Sequence, residues 1–112
     1  MTDATPRPPR APSHLSDRSR KFWRKVSSGW VLDAPAYELL RRCCEAMDRA
    51  DEARQILNDE GLTFKTRYGE VRPHPAVAIE RDARLAVARL LRELALDEAP
   101  EPPRPPRKGR ND

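Results

Sequence analysis

Few of the residues that carry chemistry are present in this 112-residue chain, which has four glycines, two cysteines and two histidines. The glycines, at positions 29, 61, 69 and 109, are too scattered to form the G-x-x-x-x-G-K-[ST] loop of a nucleotide-binding motor. Cys43 and Cys44 are adjacent, and neighbours on a helix project about 100° apart, which does not suit a bridge between them. They are not at C-x-x-C spacing, and His14 and His74 lie far apart in sequence, so no zinc set is expected. No apolar run approaches the roughly 18 residues of a membrane span, and the N-terminal segment is proline-rich where a secretion signal would be apolar. A reduced, cytoplasmic setting is the simplest expectation.

Proline and charge are abundant. Nine of the 12 prolines lie at positions 6–12 and 100–106, which divides the chain into a disordered basic arm (1–14), a helical domain (15–96) and a disordered Pro/Arg-rich tail (97–112). A domain that small buries only about 60–65% of its unfolded surface, and self-association is a natural remedy. Net charge is +4, unevenly spread: residues 1–32 carry seven basic and two acidic side chains, residues 33–97 eleven and thirteen, residues 98–112 four and three. A basic end points to a polyanion, most simply nucleic acid. The alternative is that basic tails keep a small protein soluble.

The expected fold is mainly α: three helices, at about 17–29, 34–60 and 75–95, with a short β-hairpin at about 62–72 between the second and third. Ser16 caps the first helix and Asp33 the second, with Pro35 in its first turn. Gly61 ends the second helix, Tyr68-Gly69 makes the hairpin bend, and Pro75 opens the third. On the first helix, Leu15, Ser19, Phe22, Val26 and Trp30 form a seam with Trp23 at its border. On the second, Leu40, Cys43, Met47, Ala50 and Leu57 form the stripe, Arg54 fills one slot, and Leu39, Cys44, Ala53 and Ile56 widen it; Glu45 and Arg49 are spaced to pair. The third presents Ile79, Ala83, Val87, Leu90 and Leu94, with Ala76, Ala86 and Leu91 beside them.

Opposite the first seam lie Arg18, Lys21 and Lys25, flanked by Arg20 and Arg24. Two readings stand, a phosphate-contacting face and a solvated one. No carboxylate interrupts residues 18–25, which forgoes i,i+4 pairing and favours the first. Arg7 and Arg10 are candidate contacts from the arm, plain disorder being the alternative. Arg104, Arg107, Lys108 and Arg110 make the tail a candidate partner-binding segment. Glu45, Asp48, Asp51, Glu52, Asp59 and Glu60 invite a metal or acid–base reading, with Asp48 and Glu52 one turn apart. No nucleophile or glycine-rich loop accompanies them, and a charge run on a long helix is usually its wet side. No catalytic residue, metal or cofactor is expected. His74, between Pro73 and Pro75, is better placed to bond the free N–H groups that open the third helix.

The stretch G-L-T-F-K-T-R-Y-G-E-V-R-P-H-P-A-V-A-I-E-R-D-A-R, residues 61–84, following a long helix, resembles the small subunit of phage terminases over roughly residues 15–96. The resemblance implies a non-catalytic DNA-packaging initiation protein. Such a protein is a ring-like homo-oligomer that binds double-stranded phage DNA in the host cell cytoplasm and recruits the large terminase subunit, which carries the ATPase and nuclease. Some members begin with a helix-turn-helix; here an arm and one basic helix stand in that place. The alternatives are a free-standing helical DNA-binding regulator and, more remotely, a small metal-dependent nuclease using Asp48 and Glu52.

Overall fold

Helices begin in this chain wherever a side chain can take up the otherwise unpaired N–H groups of a first turn. In the computed structural model, which describes residues 7–96, α1 (Asp17–Gly29) follows Ser16, whose hydroxyl accepts from the Ser19 N–H at 3.2 Å. The longest helix, α2 (Ala34–Glu60), follows Asp33, which accepts from the Ala36 N–H at 2.9 Å. His74 caps α3 (Pro75–Leu94): its Nδ1 accepts from the Ala76 N–H at 3.0 Å. The other ring nitrogen meets Glu60 Oε1 at 2.8 Å, so the same imidazole ties the start of α3 to the end of α2. Expectations for residues 1–6 and 97–112, including Arg104, Arg107, Lys108 and Arg110, lie outside the described residues.

Between α2 and α3 stands the hairpin. β1 (Thr63–Lys65) pairs antiparallel with β2 (Val71–Pro73), with Phe64 opposite Arg72. Thr66 closes the bend: its N–H donates to the Glu70 carbonyl at 2.8 Å, and its hydroxyl accepts from the N–H groups of Tyr68 and Glu70. Gly61, which ends α2, has φ 87° and ψ 169°, a region that essentially only glycine enters. Gly61→Ala is therefore expected to cost about 1–3 kcal/mol by chemical denaturation, although nothing lies within 4 Å of where the new methyl would sit. The loss would come from backbone strain alone.

The packing layers show how the helices run. Ala53 and Leu57 meet Ala76, Cys43 and Met47 meet Leu90, and Leu40 and Cys44 meet Leu94, so α2 and α3 are antiparallel. Across the end formed by Leu40, Cys44 and Leu94, α1 lays Leu15, Trp23 and Val26. Fully burying side chains such as Leu40 and Val26 contributes about 1.5–3 kcal/mol each. Two positions differ from their expected places. Trp23, expected at the border of the seam, is only 4% exposed while Phe22 is half-buried. The reason is that Tyr37 packs against the Trp23 ring at 5.6 Å and Pro9 covers its edge. Ile79 is 46% exposed while Ala76 and Ala83 are buried and the Glu80 side chain is 13% exposed, so the inward face of α3 runs through positions 76, 80 and 83 and leaves Ile79 beside it. Arg54, the odd member of the α2 stripe, reaches Glu80 on α3 at 3.5 Å, and Arg84 joins the same carboxylate at 2.9 Å.

Three residues of the segment before α1 touch the helices. The Trp23 indole donates to the Pro9 carbonyl at 3.0 Å, Ala11 packs on the core, and His14 meets Glu45 at 2.7 Å. Glu45 also contacts Arg41 at 3.4 Å, so its partners are these two where the spacing suggested Arg49. No helix among the described residues is long and apolar enough to cross a membrane.

Candidate nucleic-acid interface

A charged face can contact a polyanion only if its own protein does not neutralise it first. Arg18 is engaged in this way, its guanidinium reaching Asp51 on α2 at 2.6 Å. Arg20 makes a looser contact with Asp17 at 3.3 Å. Lys21, Arg24 and Lys25 are exposed, and no ion pair holds them among the described residues. Arg10 of the arm joins them, since it lines a shallow groove of about 540 Å³ with Arg20 and Arg24. Arg7 is placed elsewhere, on a second groove beside Arg41. The structure thus brings Arg10, Arg20 and Arg24 together, sets Lys21 and Lys25 on the same exposed helix, and turns Arg18 towards α2.

The helix that carries these cations is held by Asp48, a residue weighed from sequence for metal or acid–base chemistry and otherwise expected on the wet side of α2. Asp48 Oδ2 accepts from the Ser16 N–H at 2.8 Å, and Oδ1 accepts from the hydroxyls of Ser16 and Ser19, both at 2.5 Å. Ser19 is fully buried, and its hydroxyl also lies 3.2 Å from the Cys44 carbonyl. Burial works to raise the pKa of Asp48, but the bonds from Ser16 and Ser19, with Arg18 nearby, outweigh it and hold the carboxyl below its usual value. A clue was present in the sequence, because a serine at a seam position must find a hydrogen-bond partner once buried.

Most of the other carboxylates of α2 have partners: Glu38 with Arg41 and Arg42, Glu45 with His14 and Arg41, Asp51 with Arg18, Asp59 with Gln55 and Glu60 with His74, while Glu52 is exposed. Among the described residues no group of three or more His, Cys, Asp or Glu side chains is arranged to hold a metal ion. Burial pushes the thiol of Cys43 up to about 11 and that of Cys44 to about 12, so both stay protonated and poorly nucleophilic at neutral pH.

No curated protein and no solved structure matches the chain. Residues 20–101 of the 112 match the family model described as phage terminase, small subunit. That span takes in Arg20 to Lys25 of α1, both long helices and the hairpin between them, and the chain belongs to the phage terminase small subunit family.

Proposed function

We propose that this chain is a non-catalytic initiator of phage DNA packaging, working in the host cytoplasm as a homo-oligomer that binds double-stranded phage DNA and recruits the large terminase subunit. The observation that carries the DNA reading is the run Lys21, Arg24 and Lys25 on an exposed helix with no carboxylate among its neighbours from residue 18 to 25. Arg10 and Arg20 extend it. Lysine and arginine so placed contact phosphates and supply affinity with little sequence information. Titrating the full chain against duplex DNA at several salt concentrations tests this: log K should fall linearly with log salt, by about 0.9 for each phosphate neutralised. Binding that ignores salt would contradict it.

Assembly rests on a different surface. Leu62, Phe64, Tyr68 and Val71 of the hairpin region are exposed, and Ile56 and Ile79 are exposed on the flanking helices. A two-stranded hairpin is marginally stable alone, and exposed large apolar side chains gathered on and beside it favour burial against another subunit; Phe64 and Val71, one residue out of step in the register, stand on its two faces. This favours the assembly over the free-standing regulator, for which a monomer or dimer is expected. Replacing Phe64 and Val71 together by serine should lower the native mass measured by light scattering while leaving helical circular dichroism intact. An unchanged mass would remove the hairpin from the subunit contact.

A further inference from the structure

Besides the basic groove lined by Arg10, Arg20 and Arg24, the described residues form a second groove of about 570 Å³, walled chiefly by Trp30, Leu32 and Tyr37. Its volume is that of a ligand site. Trp30 and Tyr37 are half-buried, so each ring is partly open to a ligand. Each is also held in place: the Trp30 indole donates to the Leu96 carbonyl at 3.1 Å, and the Tyr37 ring lies 5.6 Å from that of the buried Trp23. Aromatic rings fixed in this way are ready-made stacking surfaces, with little side-chain ordering left to do on binding.

The two grooves are continuous, because Pro8, Pro9, Trp23 and Ser27 line both. At about 100° per residue, α1 turns Lys21 and Lys25 to one side, Arg20 and Arg24 beside them, and Trp23 and Ser27 beyond. A phosphate chain that leaves the lysines can therefore follow the arginines into the aromatic groove. There it meets Glu38, whose Oε2 accepts from Arg41 at 2.5 Å and from Arg42 at 3.2 Å. The two guanidiniums offset the carboxylate charge, and Oε1 accepts no hydrogen bond from the described residues.

A basic path joined to flat aromatic faces and one free acceptor suits an unpaired nucleic-acid strand: phosphates on the cations, bases on the rings, and base N–H groups on the acceptor. In an intact duplex those N–H groups are paired and the base faces are stacked on one another. We propose that the aromatic groove takes the bases of an unpaired DNA strand, with its phosphates on Arg24, Arg20 and Arg10 and the N–H groups of a base edge on Glu38 Oε1. The proposal rests on the DNA reading of α1 and adds to it a preference for DNA whose strands are parted beside the duplex.

Both tryptophans of the chain line the groove, so their emission reports on it. The full chain is titrated with a blunt duplex, the same duplex with a short single-stranded extension of mixed sequence, and the same duplex with an extension of abasic sites, which keeps the phosphates without the bases. The base-bearing extension should bind about tenfold more tightly than the abasic one, the order expected of a base stacked on an aromatic ring, and it alone should quench tryptophan emission. Trp30→Leu should abolish that difference and leave the affinity for the blunt duplex unchanged. Equal affinity for the two extensions, with unaltered emission, overturns the proposal, while salt-dependent binding of the blunt duplex would still uphold the DNA reading. Failure to bind any of the DNAs defeats both. A preference for bases that survives Trp30→Leu moves them off this groove and overturns the assignment. Quenching by a proline-rich peptide, with none by the base-bearing extension, gives the groove to a protein partner and likewise overturns it.

Discussion

Replacing Lys21, Arg24 and Lys25 together by glutamine is expected to reduce the slope of log K against log salt for duplex DNA by about 2.7, the sum of three phosphate contacts at roughly 0.9 each. Between 50 and 200 mM salt the unaltered protein should then lose about 40-fold more affinity than the variant. The effect belongs to binding, because all three side chains are exposed and none anchors α1 to the core. Glutamine keeps much of the aliphatic stem and a good helix propensity, so circular dichroism and the native mass should not change. The comparison is sharpened by Arg18→Gln, which removes the 2.6 Å contact to Asp51. That change should affect the salt slope less than any of the other three, since Arg18 is already paired within the protein. A slope unaltered in the triple variant would remove α1 as the main DNA contact.

Asp48→Ala is expected to lower stability by about 2 kcal/mol, through the loss of hydrogen bonds to a charged acceptor worth roughly 1.5–3 kcal/mol each, reduced by the partial exposure of the carboxylate. Three donors from the start of α1 converge on it. Without it the buried Ser19 hydroxyl retains the Cys44 carbonyl, but Ser16 loses the partner of both its N–H and its hydroxyl. The pH dependence has a definite sign. The folded pKa of Asp48 is lowered, so its contribution is fully present above the usual carboxylate value near 3.9 and is lost as pH falls through the lower folded value. The melting temperatures of Asp48→Ala and the unaltered protein should therefore differ at pH 7 and converge in acid. Because Asp48 seats the helix carrying Lys21, Arg24 and Lys25, the alanine variant should also bind DNA more weakly when partly unfolded, and recover where α1 is folded.

What could be read from sequence divides between local and distant causes. Element boundaries were legible because their causes are local: Ser16, Asp33 and His74 cap within three residues of themselves, Gly61 and Gly69 take positive φ, and Pro75 opens a helix. The spacing of Leu40, Cys43, Met47, Ala50 and Leu57 likewise identified the buried side of α2. Contacts between elements were not legible. Ser19 with Asp48, Arg18 with Asp51 and His14 with Glu45 join positions about thirty residues apart, and no local period announces them. For the same reason Trp23 and Phe22 exchanged places in the seam, since the cover supplied by Pro9 and Tyr37 comes from other parts of the chain. The basic helix itself was visible in the sequence; that Arg18 turns to α2 while Arg10 joins Arg20 and Arg24 required the fold.

The lysines offer the most direct measurement of where DNA binds, because the chain has four, at positions 21, 25, 65 and 108. Lys65 lies on the hairpin, in β1, while Lys21 and Lys25 lie on α1. Acetylation of the free and DNA-saturated protein, read site by site by mass spectrometry, should show Lys21 and Lys25 strongly protected by duplex DNA and Lys65 modified at an unchanged rate. Protection of Lys65 with Lys21 and Lys25 still fully reactive would contradict the assignment of α1 as the DNA-binding face.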